Sequence, residues 1–361
     1  MDVLDSLVIG AGQAGLSTSH HLKRRGIDHV VLDADERAGG AWQHRWDSLT
    51  MTDVHGVADL PDAPAPGTST DRANQIIPTW FADYEQTQGL PVIRPVRVDA
   101  VRDDPEEPEL LRVEAGDRFW RTRTLVNATG TWTRPFVPRY PGQASFTGEQ
   151  WHTADYPGRE QLAGKRIVVV GGGASAIQFL GELAPVAETI WVTRREPVWR
   201  SGDFNPDAGL EAVTRVAERV TQGLPPASVV SVTGLMLRPQ EEQARRLGAY
   251  ADRRPMFDSI EPDGVRWADG SFEAADVILW ATGFRPAVSH LAPLHLRSEL
   301  GGIALLPSGS GPQAAVTAAR DPRVQLVGYG PSASTIGGNR GGRAAATAVR
   351  RYLRELNSRA A

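Results

Sequence analysis

The chain of 361 residues contains no cysteine. That absence rules out disulfides, thiolate metal sites and any redox-active dithiol that could relay electrons. No apolar run approaches the roughly 20 residues needed to span a bilayer. The opening MDVLDSLVIG is acidic and runs at once into a strand pattern, so it does not read as a signal peptide. The eight histidines show neither HxxxH nor HExxH spacing, and no metal is expected. Charge is also close to balanced, at −4, which gives no reason to expect nucleic acid or an anionic membrane as a partner. The expected address is the cytosol.

What is present is glycine in pattern. Leu7-Val8-Ile9 feeds directly into Gly10-Ala11-Gly12-Gln13-Ala14-Gly15; a helical segment follows to Arg25, and a second apolar strand, Val30-Val31-Leu32, ends on Asp33. Strand, glycine turn, helix, strand and acid in that order form the dinucleotide fingerprint in its required context. Gly12 lets the backbone approach a diphosphate and Gly15 lets helix and strand pack closely. Amides at the helix start face the phosphates, and Asp33 is placed to accept hydrogen bonds from a ribose diol.

The same grammar recurs. Ile167-Val168-Val169-Val170 leads into Gly171-Gly172-Gly173-Ala174-Ser175-Ala176, then a helix to Ala184 and a strand over Thr189 to Thr193. Asp33 follows Gly10 by 23 residues, and Arg194 follows Gly171 by the same 23. The position that carries an acid in the first copy therefore carries Arg194-Arg195 in the second. An acid suits a bare ribose, whereas a guanidinium grips a 2′-phosphate with paired hydrogen bonds. The first site thus reads as binding an adenine dinucleotide without 2′-phosphate, and the second as binding NADPH. A chain this long is expected to form more than one domain.

Between the copies, Gly39-Gly40-Ala41-Trp42 and Trp46 read as a wall beside a bound ring system. Asp59 to Asp71 reads as a surface loop, and Ile77 to Gln88 as an amphipathic helix with Pro78 in its first turn. Strands are expected over Val92 to Val101 and Leu110 to Glu114, with the acids from Asp103 to Glu109 forming a solvated turn. Leu125-Val126-Asn127 ends in Ala128-Thr129-Gly130, and Asp276 to Trp280 ends likewise in Ala281-Thr282-Gly283. Asn205 to Arg254 is helical and irregular, and Gly264 to Phe272 looks like a hairpin around Asp269-Gly270. After a last strand at Val324 to Gly330, the glycine-rich run Ile336 to Gly342 is expected to open a long helix over Arg343 to Leu356. Its amides there would favour an anion or the flavin.

Together these pieces resemble the single-component flavin-containing monooxygenases, and the small bacterial members most. The family signature FxGxxxHxxx(aromatic) stands here as Phe146, Gly148, His152 and Tyr156, beside the two fingerprints, the Gly-Gly-x-Trp element and Ala281 to Phe284. Three positions depart from the usual pattern: Pro157 replaces a lysine, Asp33 replaces a glutamate, and Tyr156 stands where Baeyer–Villiger enzymes carry tryptophan. The last weighs against ketone oxygenation as the native task. His152 is read as a structural residue of the linker between domains.

The resemblance implies an α/β fold of two Rossmann-like dinucleotide-binding domains. FAD would be held by a discontinuous domain of residues 1–148 and 285–361, and NADPH by an inserted domain of residues 149–284. FAD contacts are expected from Gly10, Gly12, Ala14, Gly15, Asp33, Gly40, Trp42, Trp46, Val98, Thr129 and Gly130. NADPH contacts are expected from Gly171, Gly173, Ala174, Ser175, Arg194, Arg195, Thr282 and Gly283. No side chain is expected to act as acid, base or nucleophile, because the chemistry belongs to the cofactor. The implied reaction uses NADPH and O2 to form a C4a-(hydro)peroxyflavin that oxygenates sulfur, nitrogen or a ketone in a small organic substrate. An NADPH-dependent flavin or quinone reductase stays open as the alternative, as does a redox-sensing module without turnover. The substrate pocket is expected between the domains, lined from Trp42 to Val57 and Trp199 to Asn205; a homodimer is the assembly assumed.

Overall fold

A computed structural model describes residues 3–54, 56–199, 206–226, 234–311 and 313–360. Two five-stranded parallel sheets organise it. In the first, strands run in the order Val324–Leu326, Leu125–Asn127, Ser6–Ile9, His29–Leu32 and Val92–Ile93. In the second the order is Glu149–His152, Val277–Trp280, Arg166–Val170, Glu188–Val192 and Arg253–Arg254. The two orders correspond strand for strand, each with its glycine turn leaving the central strand. Parallel strands buried on both faces need continuous apolar runs. Leu7-Val8-Ile9 and Ile167-Val168-Val169-Val170 supply them, all almost fully buried.

Smaller sheets flank this pair. Val3–Leu4, Arg118–Thr122, Leu111–Ala115 and Ala100–Asp103 form one, and Ser259–Glu261, Gly264–Arg266 and Phe272–Ala274 form an antiparallel meander. In the latter, the strands Gly264–Arg266 and Phe272–Ala274 are the expected hairpin, with Gly270 at positive φ. One apolar core joins the two halves through Trp46, Tyr156 and Phe179. No described helix is long and apolar enough to cross a membrane.

Several local expectations need correction. The helix expected to begin near Pro78 begins at Ala73 and runs to Gln88, so Pro78 lies well inside it. The run Val92 to Val101 is not one strand: it splits into Val92–Ile93 and Ala100–Asp103, which join different sheets. The acidic turn is not merely solvated either. Asp104 is 2% exposed, accepts the amides of Glu106 and Glu107 at 3.0 Å each, and pairs with Arg121 at 3.0 Å. Burial opposes its charge, but those donors win and hold its carboxyl below the usual range.

The largest correction concerns the C-terminal helix, which runs from Thr335 to Ala360 and so contains the glycine run rather than following it. The reason is close packing on the first helix, Gln13–Lys23. A Cβ on Gly342 would lie 2.7 Å from Ser17 Oγ and 2.8 Å from the Thr18 amide nitrogen. Glycine lowers helix propensity by about 1 kcal/mol per residue, and the tertiary contact overrides it here.

Candidate functional site

The first cleft has a volume of about 670 Å3 and opens around the carboxyl ends of the first sheet, where open α/β sheets place their ligands. Gly10 turns the chain at φ +98°, with its amide bonded to the Leu32 carbonyl at 2.7 Å. A Cβ there would meet the Ala128 carbonyl oxygen at 2.6 Å, and one on Gly15 would meet the Gly10 carbonyl oxygen at 1.8 Å. The turn is thus clamped between its own helix and Ala128-Thr129-Gly130. On the open side Gly12 faces Gly40, whose added Cβ would stand 2.8 Å from the Gly12 Cα. This backbone cradle has the volume and the glycine positions that a dinucleotide diphosphate requires.

Asp33 lines the cleft at the end of its strand and is almost fully buried. Burial pushes its carboxyl above the usual range; the Ala11 and Asp35 amides, which its two oxygens accept, work the other way. Each oxygen keeps a further lone pair for a hydroxyl donor. Gly12, Ala14, Gly40, Trp42, Val98, Thr129 and Gly130 also line the cleft. Trp46 does not. It is buried against Phe179 (4.9 Å between ring centres) and Tyr156 (6.0 Å), so it serves the core between the two halves instead of a cofactor wall.

His290, Trp132, Arg45 and Ser332 line the cleft without a sequence signal that singled them out. His290 is packed beneath the cleft with its Nε2–H donating to Asn127 Oδ1 at 2.7 Å, and burial holds its pKa down to about 4, so it is neutral. Trp132 stacks on Phe284 at 4.9 Å, and Arg45 lies over the Trp132 ring. Ser332 Oγ accepts the Gly328 amide at 3.0 Å, shaping the turn before the C-terminal helix; Ser334 and Gly338 bring the start of that helix to the cleft. The helix start meets the cleft at these residues, upstream of the expected start at Arg343.

The second glycine turn reproduces the first. The Gly171 amide bonds the Val192 carbonyl at 2.9 Å, and a Cβ on Gly171 would meet the Ala281 carbonyl oxygen at 2.2 Å. Gly173 precedes the helix Ala174–Leu183, so Ala174 and Ser175 form its first turn. Thr282 Oγ donates to the Phe136 carbonyl, and Gly283 lies at φ +79°. Arg194 and Arg195 stand exposed just past the strand Glu188–Val192. The equal spacing does not survive in three dimensions. The Gly10 amide bonds Leu32 and the Gly171 amide bonds Val192, and the Asp33 and Thr193 amides bond Ile93 and Arg254. Thr193 thus occupies the position of Asp33, and Arg194 lies one residue beyond it, exposed at the same strand end.

His152, expected in the linker between domains, ends a strand of the second sheet and bonds within that unit. Its Nδ1 accepts the Ala154 amide at 3.1 Å, so its Nε2–H donates to the Gly283 carbonyl at 3.0 Å, and its ring meets Phe284 edge-on at 4.9 Å. Burial lowers its pKa. Both nitrogens are committed to backbone, which is a structural employment. Among the described residues no group of three histidines, cysteines or acids is placed to hold a metal. Of the loops expected to line a substrate pocket, His55 and residues 200–205 lie outside the described residues.

Comparison with known proteins agrees with this geometry. The family described as pyridine nucleotide-disulphide oxidoreductase matches residues 7–225. A flavin-containing monooxygenase from Stenotrophomonas maltophilia and a double mutant of a flavin monooxygenase from that organism are each 37% identical. Each covers 98% of this chain over 100% of its own, at TM-scores of 0.83 and 0.84. Among curated relatives, indole-3-pyruvate monooxygenase YUCCA1 of Oryza sativa subsp. japonica is 27% identical over 78% of this chain and 77% of its own. A Baeyer-Villiger monooxygenase of Streptomyces coelicolor is 31% identical over 53% of this chain and 38% of its own. The chain is an oxidoreductase of the pyridine nucleotide-disulphide oxidoreductase family and belongs among the flavin-containing monooxygenases.

Proposed function

We propose that this chain binds FAD in the first cleft and NADPH on the second glycine turn, and transfers one oxygen atom from O2 to a small organic substrate. The observation that carries this reading is the pair of equivalent glycine turns, each locked against an Ala-Thr-Gly, in a chain 37% identical end to end to a flavin-containing monooxygenase. The absence of cysteine removes the dithiol chemistry for which the wider family is named.

When bound, the flavin supplies the hydride acceptor and the site of oxygen activation. The protein's part is to bind, orient and keep dry. Gly10 to Gly15 and the following helix hold the flavin dinucleotide's diphosphate, and Asp33 accepts from its ribose. Arg194 and Arg195 select the 2′-phosphate of NADPH. The N-terminal end of the helix Thr335–Ala360 meets the cleft at Ser334 and Gly338, where its positive end would stabilise negative charge on a bound flavin. The aromatic contacts Trp132–Phe284 and His152–Phe284 cover the junction between the two halves, which keeps water from an oxygen-reactive centre. In this reading residues 1–148 and 285–361 form the FAD domain around an inserted NADPH domain of residues 149–284.

Sulfides, amines and ketones are all candidate acceptors, and a Baeyer-Villiger monooxygenase stands among the relatives of this chain. The test is turnover with NADPH under 18O2 on a panel of sulfides, amines and ketones. Label in one product, with little free peroxide, supports the reading. Stoichiometric peroxide with no labelled product, together with rapid quinone reduction, turns it to a reductase.

A further inference from the structure

Arg45 directly follows the short turn Gly40–His44 and lines the first cleft. Its guanidinium carbon lies 4.4 Å from the centre of the Trp132 ring and 5.5 Å from that of Trp42. Its Nε is sealed from solvent and has no acceptor among the described residues. Burial alone perturbs it, lowering its pKa to about 10, which leaves it charged at neutral pH.

Other sequestered arginines of this chain are treated differently. Arg94 meets Glu85 at 2.6 Å, Arg323 meets Asp321 at 2.8 Å, and Arg121 meets Asp104 at 3.0 Å. Arg45 has two indole faces and no carboxylate among the described residues. Ring faces return part of the lost hydration of a cation, and a buried Nε–H without an acceptor remains costly. A guanidinium held this way is preorganised for an oxyanion, which its planar fork can take in two parallel hydrogen bonds.

The surroundings indicate which oxyanion. The turn that precedes Arg45 presses Gly40 onto Gly12, so Arg45 belongs to the same wall as the diphosphate cradle. On its other side Trp132 stacks on Phe284, the residue after the second Ala-Thr-Gly, so the cation stands toward the second nucleotide unit. We propose that Arg45 is a diphosphate-binding residue of the cleft, charge-pairing with a dinucleotide that the glycine turns position. Its partner is the flavin dinucleotide of the first unit or the nicotinamide dinucleotide of the second. The inference rests on the dinucleotide reading of the two turns.

The test uses the full chain with Arg45→Met, which keeps an apolar stem between the indoles, and Arg45→Lys, which keeps the charge and loses the fork. Deflavinated protein is titrated with FAD by fluorescence quenching, and flavin-loaded protein with NADP+ by difference absorbance. The account expects Arg45→Met to raise Kd about tenfold to a hundredfold for one dinucleotide, and Arg45→Lys to raise it less. A change for FAD assigns the flavin diphosphate, and a change for NADP+ alone assigns the nicotinamide dinucleotide. The deflavinated Arg45→Met protein should melt no lower than wild type, because the substitution removes an unpaired buried cation. Unchanged Kd for both dinucleotides overturns the proposal, as does a large drop in melting temperature of the deflavinated Met variant. Failure of the wild-type chain to bind FAD overturns instead the cofactor reading on which it rests.

Discussion

Gly12 and Gly40 touch backbone to backbone: a side-chain carbon on Gly40 would stand 2.8 Å from the Gly12 Cα. The contact fixes the distance between the glycine turn and the Trp42 segment, and so the width of the cleft where a diphosphate would pass.

Gly40→Ala should therefore widen or deform the cradle, since the clash is with main chain that cannot swing aside. The expected result is protein purified with less than about a tenth of its flavin, a loss on the order of 1.4 kcal/mol or more in binding. Absorbance at the flavin band relative to protein checks it. Stoichiometric flavin in Gly40→Ala would show that this approach does not set the site.

The second turn predicts cofactor choice. Replacing Arg194 and Arg195 by alanine should raise KM for NADPH about tenfold to a hundredfold, the cost of losing charge-assisted hydrogen bonds of roughly 1.5–3 kcal/mol. KM for NADH should change far less. Parallel losses with both nucleotides would mean that the arginines do something other than grip a 2′-phosphate.

Gly342→Ala tests the helix crossing. In an open helix the change stabilises by about 1 kcal/mol, but here the new carbon would fall 2.7–2.8 Å from Ser17 and Thr18. A loss of about 1–3 kcal/mol is expected, read as a Tm lowered by about 1–4 °C. A rise in Tm would contradict the close packing.

Much of this was legible in the sequence, and for a physical reason. Gly10, Gly15 and Gly171 are glycines because backbone passes within 1.8–2.6 Å of where a Cβ would be, so residue identity alone reports the contact. Val8 and Val168 announce buried parallel strands in the same direct way. What stayed hidden depends on partners distant in sequence. Trp46 and Trp42 look alike in one short run, yet only Trp42 faces the cleft, because Phe179 and Tyr156 cover the other. The start of the C-terminal helix was obscured by glycines whose low propensity is overridden by Ser17 and Thr18. Arg45 reads as an ordinary surface cation until the structure reveals two indoles and, among the described residues, no acid beside it.

Part of the acid lability should lie at that crossing, with buried His290 at the cleft contributing in the same sense. His21 is buried beside His20, Arg25, Arg343 and Arg24, and burial foremost, then these neighbours, hold its pKa down to about 4. An unfolded chain takes up its proton near pH 6.5, so between about 6.5 and 4 the unfolded state binds more protons and stability falls as pH falls. From pH 7 to pH 5 the cost is on the order of 1–2 kcal/mol, or about 1–3 °C in Tm. His21→Gln should remove that part of the pH dependence. An undiminished drop in Tm would place the acid-sensitive group elsewhere.

The most direct test of the central claim is to reduce the purified flavoprotein with NADPH without oxygen, then mix it with O2 in a stopped-flow spectrometer. The account predicts rapid bleaching by NADPH, followed on mixing by a long-lived species whose absorbance matches neither reduced nor oxidised flavin. Direct return to the oxidised spectrum, with one peroxide released per flavin, would contradict oxygenation and leave a reductase.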